Sequence, residues 1–212
     1  MKTGRICRLL PGVSVGVRGE LAMYRLRVLR AWSLLEMLLV LAVLGILLTV
    51  ALPHLSLWVE RQRLIAATEL VYRQLQFVRM EALKQSRPMY MRFIAGAAGQ
   101  WHFAASDVPG CDPSGQDAGK VCTIAAADGG ALSVAVFHGR DYPGVQLLVS
   151  GFSGNEARFE PVRGVADNGR VTLLSTSGLE TRVLVSVLGR IRICSPAGAT
   201  QLAPYPDAGC HA

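Results

Sequence analysis

The sequence predicts an α+β protein. A long N-terminal helix, one half transmembrane and the other amphipathic, packs on an antiparallel, β-sandwich-like globular domain. Three observations carry that expectation. An apolar run fills residues 32–52 with a single charge in it, Glu36. A helical spacing of apolar residues follows as far as Pro88. Beyond it, short β-prone runs alternate with Gly, Asp and Asn turns. The 212 residues are 51% hydrophobic and 17% charged. Soluble domains average about 25% charged residues, so this composition excludes a disordered chain and points to a membrane segment.

The formal net charge of +7 sits almost wholly at the start of the chain. Residues 1–31 hold seven Lys/Arg against Glu20 alone, or +6. Subtracting these from the totals of 22 and 15 leaves 15 Lys/Arg against 14 Asp/Glu, or +1, in residues 32–212. A cationic stretch ahead of an apolar run is the pattern of an inner-membrane targeting segment whose positive flank stays cytoplasmic. The total charge therefore argues for targeting, and any nucleic-acid reading has to rest on local arginines.

At about 1.5 Å per residue, the run from Trp32 to Leu52 spans about 31 Å, enough to cross a bilayer. It is longer than a cleaved signal-peptide core, and no A-x-A site follows it. A plain anchor leaves Glu36 unexplained, because a carboxylate near the hydrocarbon core costs roughly 3 kcal/mol or more unless paired.

The residues around that acid carry a resemblance. Arg30-Ala31-Trp32-Ser33-Leu34-Leu35-Glu36-Met37-Leu38 resembles the prepilin processing site of type IV pilins and type II secretion pseudopilins, K-G-F-T-L-I-E-L ahead of an apolar helix. Ala31 stands where the family has glycine, and Trp32 where it has phenylalanine. The resemblance implies cleavage between Ala31 and Trp32 by a membrane-embedded prepilin peptidase, with N-methylation of Trp32. It places Glu36 at the fifth mature position and Pro53 at the twenty-second, where pilins commonly have a helix-kinking proline. Met23 offers a shorter, basic leader of nine residues and is the possible true start. Once transmembrane helices pack side by side in a filament, Glu36 is tolerable if paired with a cation. The freed Trp32 amine of a neighbouring subunit is the natural candidate, and the pair would set axial register, as buried polar groups do in coiled coils.

After Pro53, Leu57, Leu64, Val71, Leu75, Val78 and Ala82 recur at threes, fours and sevens, with Glu60, Arg61, Arg63, Arg73, Arg79 and Lys84 on the polar faces. Pro88 ends the helix, because the residue before a proline resists helical geometry. The stretch from Arg61 to Ala67 and on through Leu75–Lys84 resembles the GspH/FimT type of minor pilin and pseudopilin, R-x-x-A followed by L-x-x-A-R-x-E-A-I-K. Candidate strands then occupy 89–94, 100–105, 131–137, 145–149, 158–161, 170–175, 181–187 and 190–194. Turn signals at Asp128-Gly129-Gly130, Asp167-Asn168-Gly169 and Ser177-Gly178 separate them. Residues 108–119 read as the longest loop. The expected divisions are a leader at 1–31, a transmembrane or filament-core helix at 32–53, an amphipathic helix at 54–87, and a β-rich periplasmic domain at 88–212 with a C-terminal disulfide loop.

Cys7 lies in the leader, and the mature chain keeps Cys111, Cys122, Cys194 and Cys210. An even number in an exported domain reads as disulfides. Three pairings are possible, and proximity favours Cys111–Cys122 with Cys194–Cys210. A zinc site is disfavoured, since there is no C-x-x-C and His54, His102, His138 and His211 are scattered along the chain. Gly151-Phe152-Ser153-Gly154-Asn155 lacks the last glycine of a nucleophile elbow. No enzyme activity, cofactor or metal is expected.

Gly189-Arg190-Ile191-Arg192 is the one motif suited to binding. On a strand, Arg190 and Arg192 point to one face about 6.6 Å apart, with Ile191 and Ile193 opposite. One reading is a half-buried edge strand with a solvated basic face. The other comes from resemblance: G-R-x-R near the C-terminus is similar to the motif of FimT-type minor pilins that bind double-stranded DNA during natural uptake, with Arg182 and Arg170 extending the patch. The expected function is a minor pseudopilin or pilin in a type II secretion pseudopilus or type IV pilus, with DNA uptake as the alternative. Expected partners are other pilins in a filament, the prepilin peptidase, the bacterial inner membrane and, in the alternative, double-stranded DNA.

Overall fold

The computed structural model describes residues 33–125, 130–198 and 200–210. The leader, Ala31 and Trp32 lie outside the described residues, as does most of the Asp128-Gly129-Gly130 turn. The chain divides into two compact units, residues 1–45 and 46–212.

Helix α1 runs over Leu34–Gln85. The two expected segments, at 32–53 and 54–87, run on as one helix across Pro53. From Leu34 to Leu48 its large apolar side chains are exposed, Leu34 at 86% and Leu38 at 67%. Further along, Leu64, Val71, Leu75, Val78 and Ala82 are fully buried, as their spacing predicts. Leu57 does not join them and is 57% exposed. The turn between the strands ending at Leu174 and starting at Glu180 reaches the helix at Glu60, which accepts hydrogen bonds from Thr176 Oγ1 (2.5 Å) and the Ser177 amide (2.6 Å); one turn earlier, Leu57 stays exposed among the described residues. The helix ends where Ser86 turns left-handed at φ 53°, two residues before Pro88. Among the described residues, no helix is long and apolar enough to cross a membrane. The expected span begins at Trp32, outside the described residues.

Among the described residues ten strands follow: β1 (Met89–Ile94), β2 (His102–Ser106), β3 (Thr123–Ala125), β4 (Ala131–Ser133), β5 (Phe137–His138), β6 (Gln146–Ser150), β7 (Glu156–Phe159), β8 (Gly169–Leu174), β9 (Glu180–Val185) and β10 (Ile191–Cys194). They form two antiparallel four-stranded sheets, ordered β5-β2-β1-β7 and β10-β9-β8-β6, and a small β3-β4 pair. A bridge between Gly96 and Leu147 joins the two larger sheets. Alternation decides the inner faces: Met89, Met91 and Phe93 of β1 are buried, as are Val171 and Leu173 of β8. With the apolar stripe of α1 they form one core.

One predicted strand is split. Residues 131–137 read as a continuous apolar run, but Ala131–Ser133 pairs with the unanticipated β3 while Phe137–His138 pairs with β2. Uniform composition hides a change of partner.

Between helix and sheet lies a buried polar link. The Thr68 hydroxyl donates to the Leu64 carbonyl at 2.7 Å. Its single proton is thereby used, so at 2.7 Å the Thr181 hydroxyl is the donor to Thr68. Both side chains are fully buried.

Candidate functional site

The strand register gathers the C-terminal arginines. Across the second sheet, Ser150 of β6 pairs with Arg170 of β8, Arg170 with Leu184 of β9, and Leu184 with Arg192 of β10. The adjacent row runs Thr172, Arg182, Cys194. Since side chains alternate along a strand, Arg170, Arg182 and Arg192 share the face opposite the core, while Val183, Val185 and Ile191 fill the inner one. β10 is the sheet edge, and Arg190 is exposed at its start. A groove of about 290 Å³ opens on this face, with Ser150, Asn168, Arg170, Ser186, Arg190 and Arg192 among its lining.

The cations there are not equivalent. Arg182 Nε donates to Glu180 Oε1 at 2.6 Å, and its Nη1 to the Cys210 carbonyl at 2.9 Å. Its charge is compensated and its guanidinium ties down the C-terminal loop. Arg170 Nε donates to Ser150 Oγ at 2.9 Å. Arg192 lies so close to Gly209 that a β-carbon there would come within 2.9 Å of Nη1. Arg170, Arg190 and Arg192 therefore supply the positive field of the groove.

The glycine of the motif has a backbone cause. Gly189 sits at φ 69° in the hairpin between β9 and β10, closed by the Gly189 amide on the Ser186 carbonyl (2.7 Å) and by the Ser186 amide on the Arg190 carbonyl (3.0 Å). The carbonyl of Gly164 approaches so near that a β-carbon at Gly189 would lie 1.8 Å from it. Any other residue would clash there.

Both disulfides are formed, Cys111–Cys122 (S–S 2.06 Å) and Cys194–Cys210 (2.10 Å). The second packs with Leu184 on the arginine face. Ser195 Oγ donates to the Glu180 carbonyl at 2.6 Å and accepts from the Leu202 amide at 2.8 Å, and Leu202 is fully buried. Tyr205, the nearest aromatic candidate for base stacking, packs against the core. Burial, with Glu69 nearby and Arg73 opposing, pushes its hydroxyl up to about 12.

At the other end of the chain, Ser33 caps α1. Its Oγ accepts the Glu36 amide at 3.1 Å and its carbonyl accepts the Met37 amide at 3.1 Å. Ser33-Leu34-Leu35-Glu36 has the S-x-x-E form of a capping box, a local signal that the sequence reading passed over. Glu36 is exposed in the first turn, where a carboxylate also complements the helix dipole. Gly151–Asn155 forms no nucleophile elbow: Phe152 is buried and Ser153–Asn155 makes a short 3-10 turn.

The histidines are less scattered than their spacing suggests. His102 of β2 and His138 of β5 are cross-strand partners. Among the described residues, no three His, Cys, Asp or Glu side chains converge on a metal position.

The family model of the type II transport protein GspH matches residues 67–189. The chain belongs to the GspH family. The GspH match begins inside α1 and ends at the hairpin glycine, so Glu36, Arg190, Arg192 and the C-terminal disulfide lie outside it. No curated protein matches the chain. Among solved structures, the chain is similar to the minor pseudopilin EpsH from the type 2 secretion system of Vibrio cholerae, at 12% identity and TM-score 0.43, covering 63% of this chain and 97% of that one. It is also similar to the type IV minor pilin FimU of Pseudomonas aeruginosa, at 18% identity and TM-score 0.47, covering 66% and 98%.

Proposed function

We propose that this GspH-family chain is a minor subunit of a type II secretion pseudopilus or type IV pilus. It is inserted in the bacterial inner membrane, cut between Ala31 and Trp32, N-methylated at Trp32, and then drawn into the filament with its β-rich domain in the periplasm. The observation that carries this reading is α1 itself. One helix buries its stripe from Leu64 to Ala82 in the domain core, while Leu34–Leu48 expose their apolar side chains. Such a surface needs a cover, and lipid before assembly and sister helices afterwards both provide one. Glu36 in the first turn then faces the Trp32 amine of an adjacent subunit. In cells that assemble the filament, Glu36→Ala is expected to insert and be processed normally but to enter sheared filaments poorly. Normal incorporation would remove the pairing from the account.

The groove supports a second reading, sequence-independent DNA binding by Arg170, Arg190 and Arg192. Neutralising two to four phosphates gives a log–log salt slope of only about −2 to −4, weak binding that several tip subunits acting together would strengthen. Duplex retardation at low salt, lost in Arg190→Ala with Arg192→Ala, is the expected result. Absence of retardation at low ionic strength leaves the assembly role alone.

A further inference from the structure

His102 and His138 stand 36 residues apart in sequence but opposite one another where β2 meets the two-residue edge strand β5. Their Nδ1 atoms are 2.9 Å apart, with ring centroids at 4.9 Å and planes at 80°. Both rings are half-buried, on the face opposite Phe103 and beside the cluster of Ala104, Cys111 and Cys122. Burial, with His138 and Arg140 adding to it and Asp112 opposing, holds His102 below the usual histidine range. Asp112 is committed elsewhere, its oxygens accepting from Ser114 and the Asp117 amide.

The two nitrogens are near enough for one ion to replace the hydrogen bond between them. With metal–nitrogen bonds of about 2.0 Å, two ligands at a right angle lie about 2.8 Å apart and two at a tetrahedral angle about 3.3 Å. The hydrogen-bonded 2.9 Å lies near both spans, so small ring rotations bring both nitrogens onto one ion, and among the divalent ions that imidazole suits Cu(II) binds most tightly. We propose that His102 and His138 form a bidentate site for an imidazole-preferring divalent cation, Cu(II) above all, which clamps β5 to β2. Each ring would bind through Nδ1 and keep a proton on Nε2. The proton now shared between the two Nδ1 atoms moves to the Nε2 of its own ring through solvent, and modest ring rotation turns both lone pairs to one point. Water fills the remaining positions, because no third protein ligand converges among the described residues.

The test titrates the purified full-length chain in detergent with Cu(II) and Ni(II), beside His102→Ala, His138→Ala and the double variant. His102→Gln and His138→Gln carry the comparison if an alanine variant fails to fold. One equivalent of Cu(II) is expected, with two nitrogen couplings in its electron paramagnetic resonance spectrum and a raised Tm. Either single substitution should weaken binding at least tenfold, and the double should weaken it no further. Copper held equally well by the double variant, or no binding by the wild-type chain, would overturn the site.

Discussion

At the scale of single residues, the buried hydroxyl pair makes an asymmetric prediction. Thr181 donates to Thr68, and Thr68 donates to the Leu64 carbonyl. In Thr181→Val, Thr68 keeps its own donor bond. In Thr68→Val, the Thr181 hydroxyl loses its acceptor inside the core, at a cost of about 1–3 kcal/mol. Denaturant unfolding of the two variants should rank Thr68→Val as the less stable, and equal losses would contradict the assigned direction. Two carboxylates make a pH prediction. Hydrogen bonds from Ser114 and Asp117 lower Asp112 to about 2. At Glu60, burial opposes ionisation, but bonds from Thr176 and Ser177 outweigh it and hold the carboxyl below its usual range. In both, the folded pKa lies below the unfolded one, so their stabilisation is complete above about pH 4–5 and is lost as pH falls, for Asp112 toward about 2. Asp112→Asn should flatten the acid limb of a Tm-against-pH curve; an unchanged limb would remove Asp112 from it.

At the scale of elements, α1 and most strands were legible because their signals are periodic. Leu64, Val71, Leu75, Val78 and Ala82 keep one helical face, and Met89, Met91 and Phe93 alternate. What sequence could not show were events decided by a distant partner. Leu57 carries the right spacing but stays exposed, residues 131–137 divide between two partners, and His102 meets His138 through a register that no local pattern encodes. The arginine face was half legible. The separation of Arg190 and Arg192 from Ile191 follows from strand alternation alone, but the compensation of Arg182 by Glu180 depends on where the C-terminal loop returns. That loop makes its own prediction. The Cys194–Cys210 bridge closes a separation of 16 residues, so replacing both by serine should cost about 3 kcal/mol. It should also release Arg182 from the Cys210 carbonyl. A calorimetric Tm unchanged by the double substitution would show that Ser195 and Leu202 hold the loop without it.

At the scale of the whole molecule, the opening +7 resolves into parts with different fates. On the proposed reading, the +6 of residues 1–31 belongs to a leader that cleavage would remove, and the remaining +1 would leave the mature chain nearly neutral. The apolar half of α1 would serve the membrane and then the filament, while its buried half packs in the domain core and the arginine face lies open at the edge of the second sheet. The proposed pairing of Glu36 depends on a new terminus being made at Trp32, since only then would an amine stand four residues before Glu36. The mass of the chain recovered from membranes of a host with an active prepilin peptidase tests this most directly. The account predicts a chain beginning at N-methylated Trp32, and the uncleaved species when the peptidase is inactivated. A chain that keeps residues 23–31 in the presence of the active peptidase, or is cut at another bond, would contradict it.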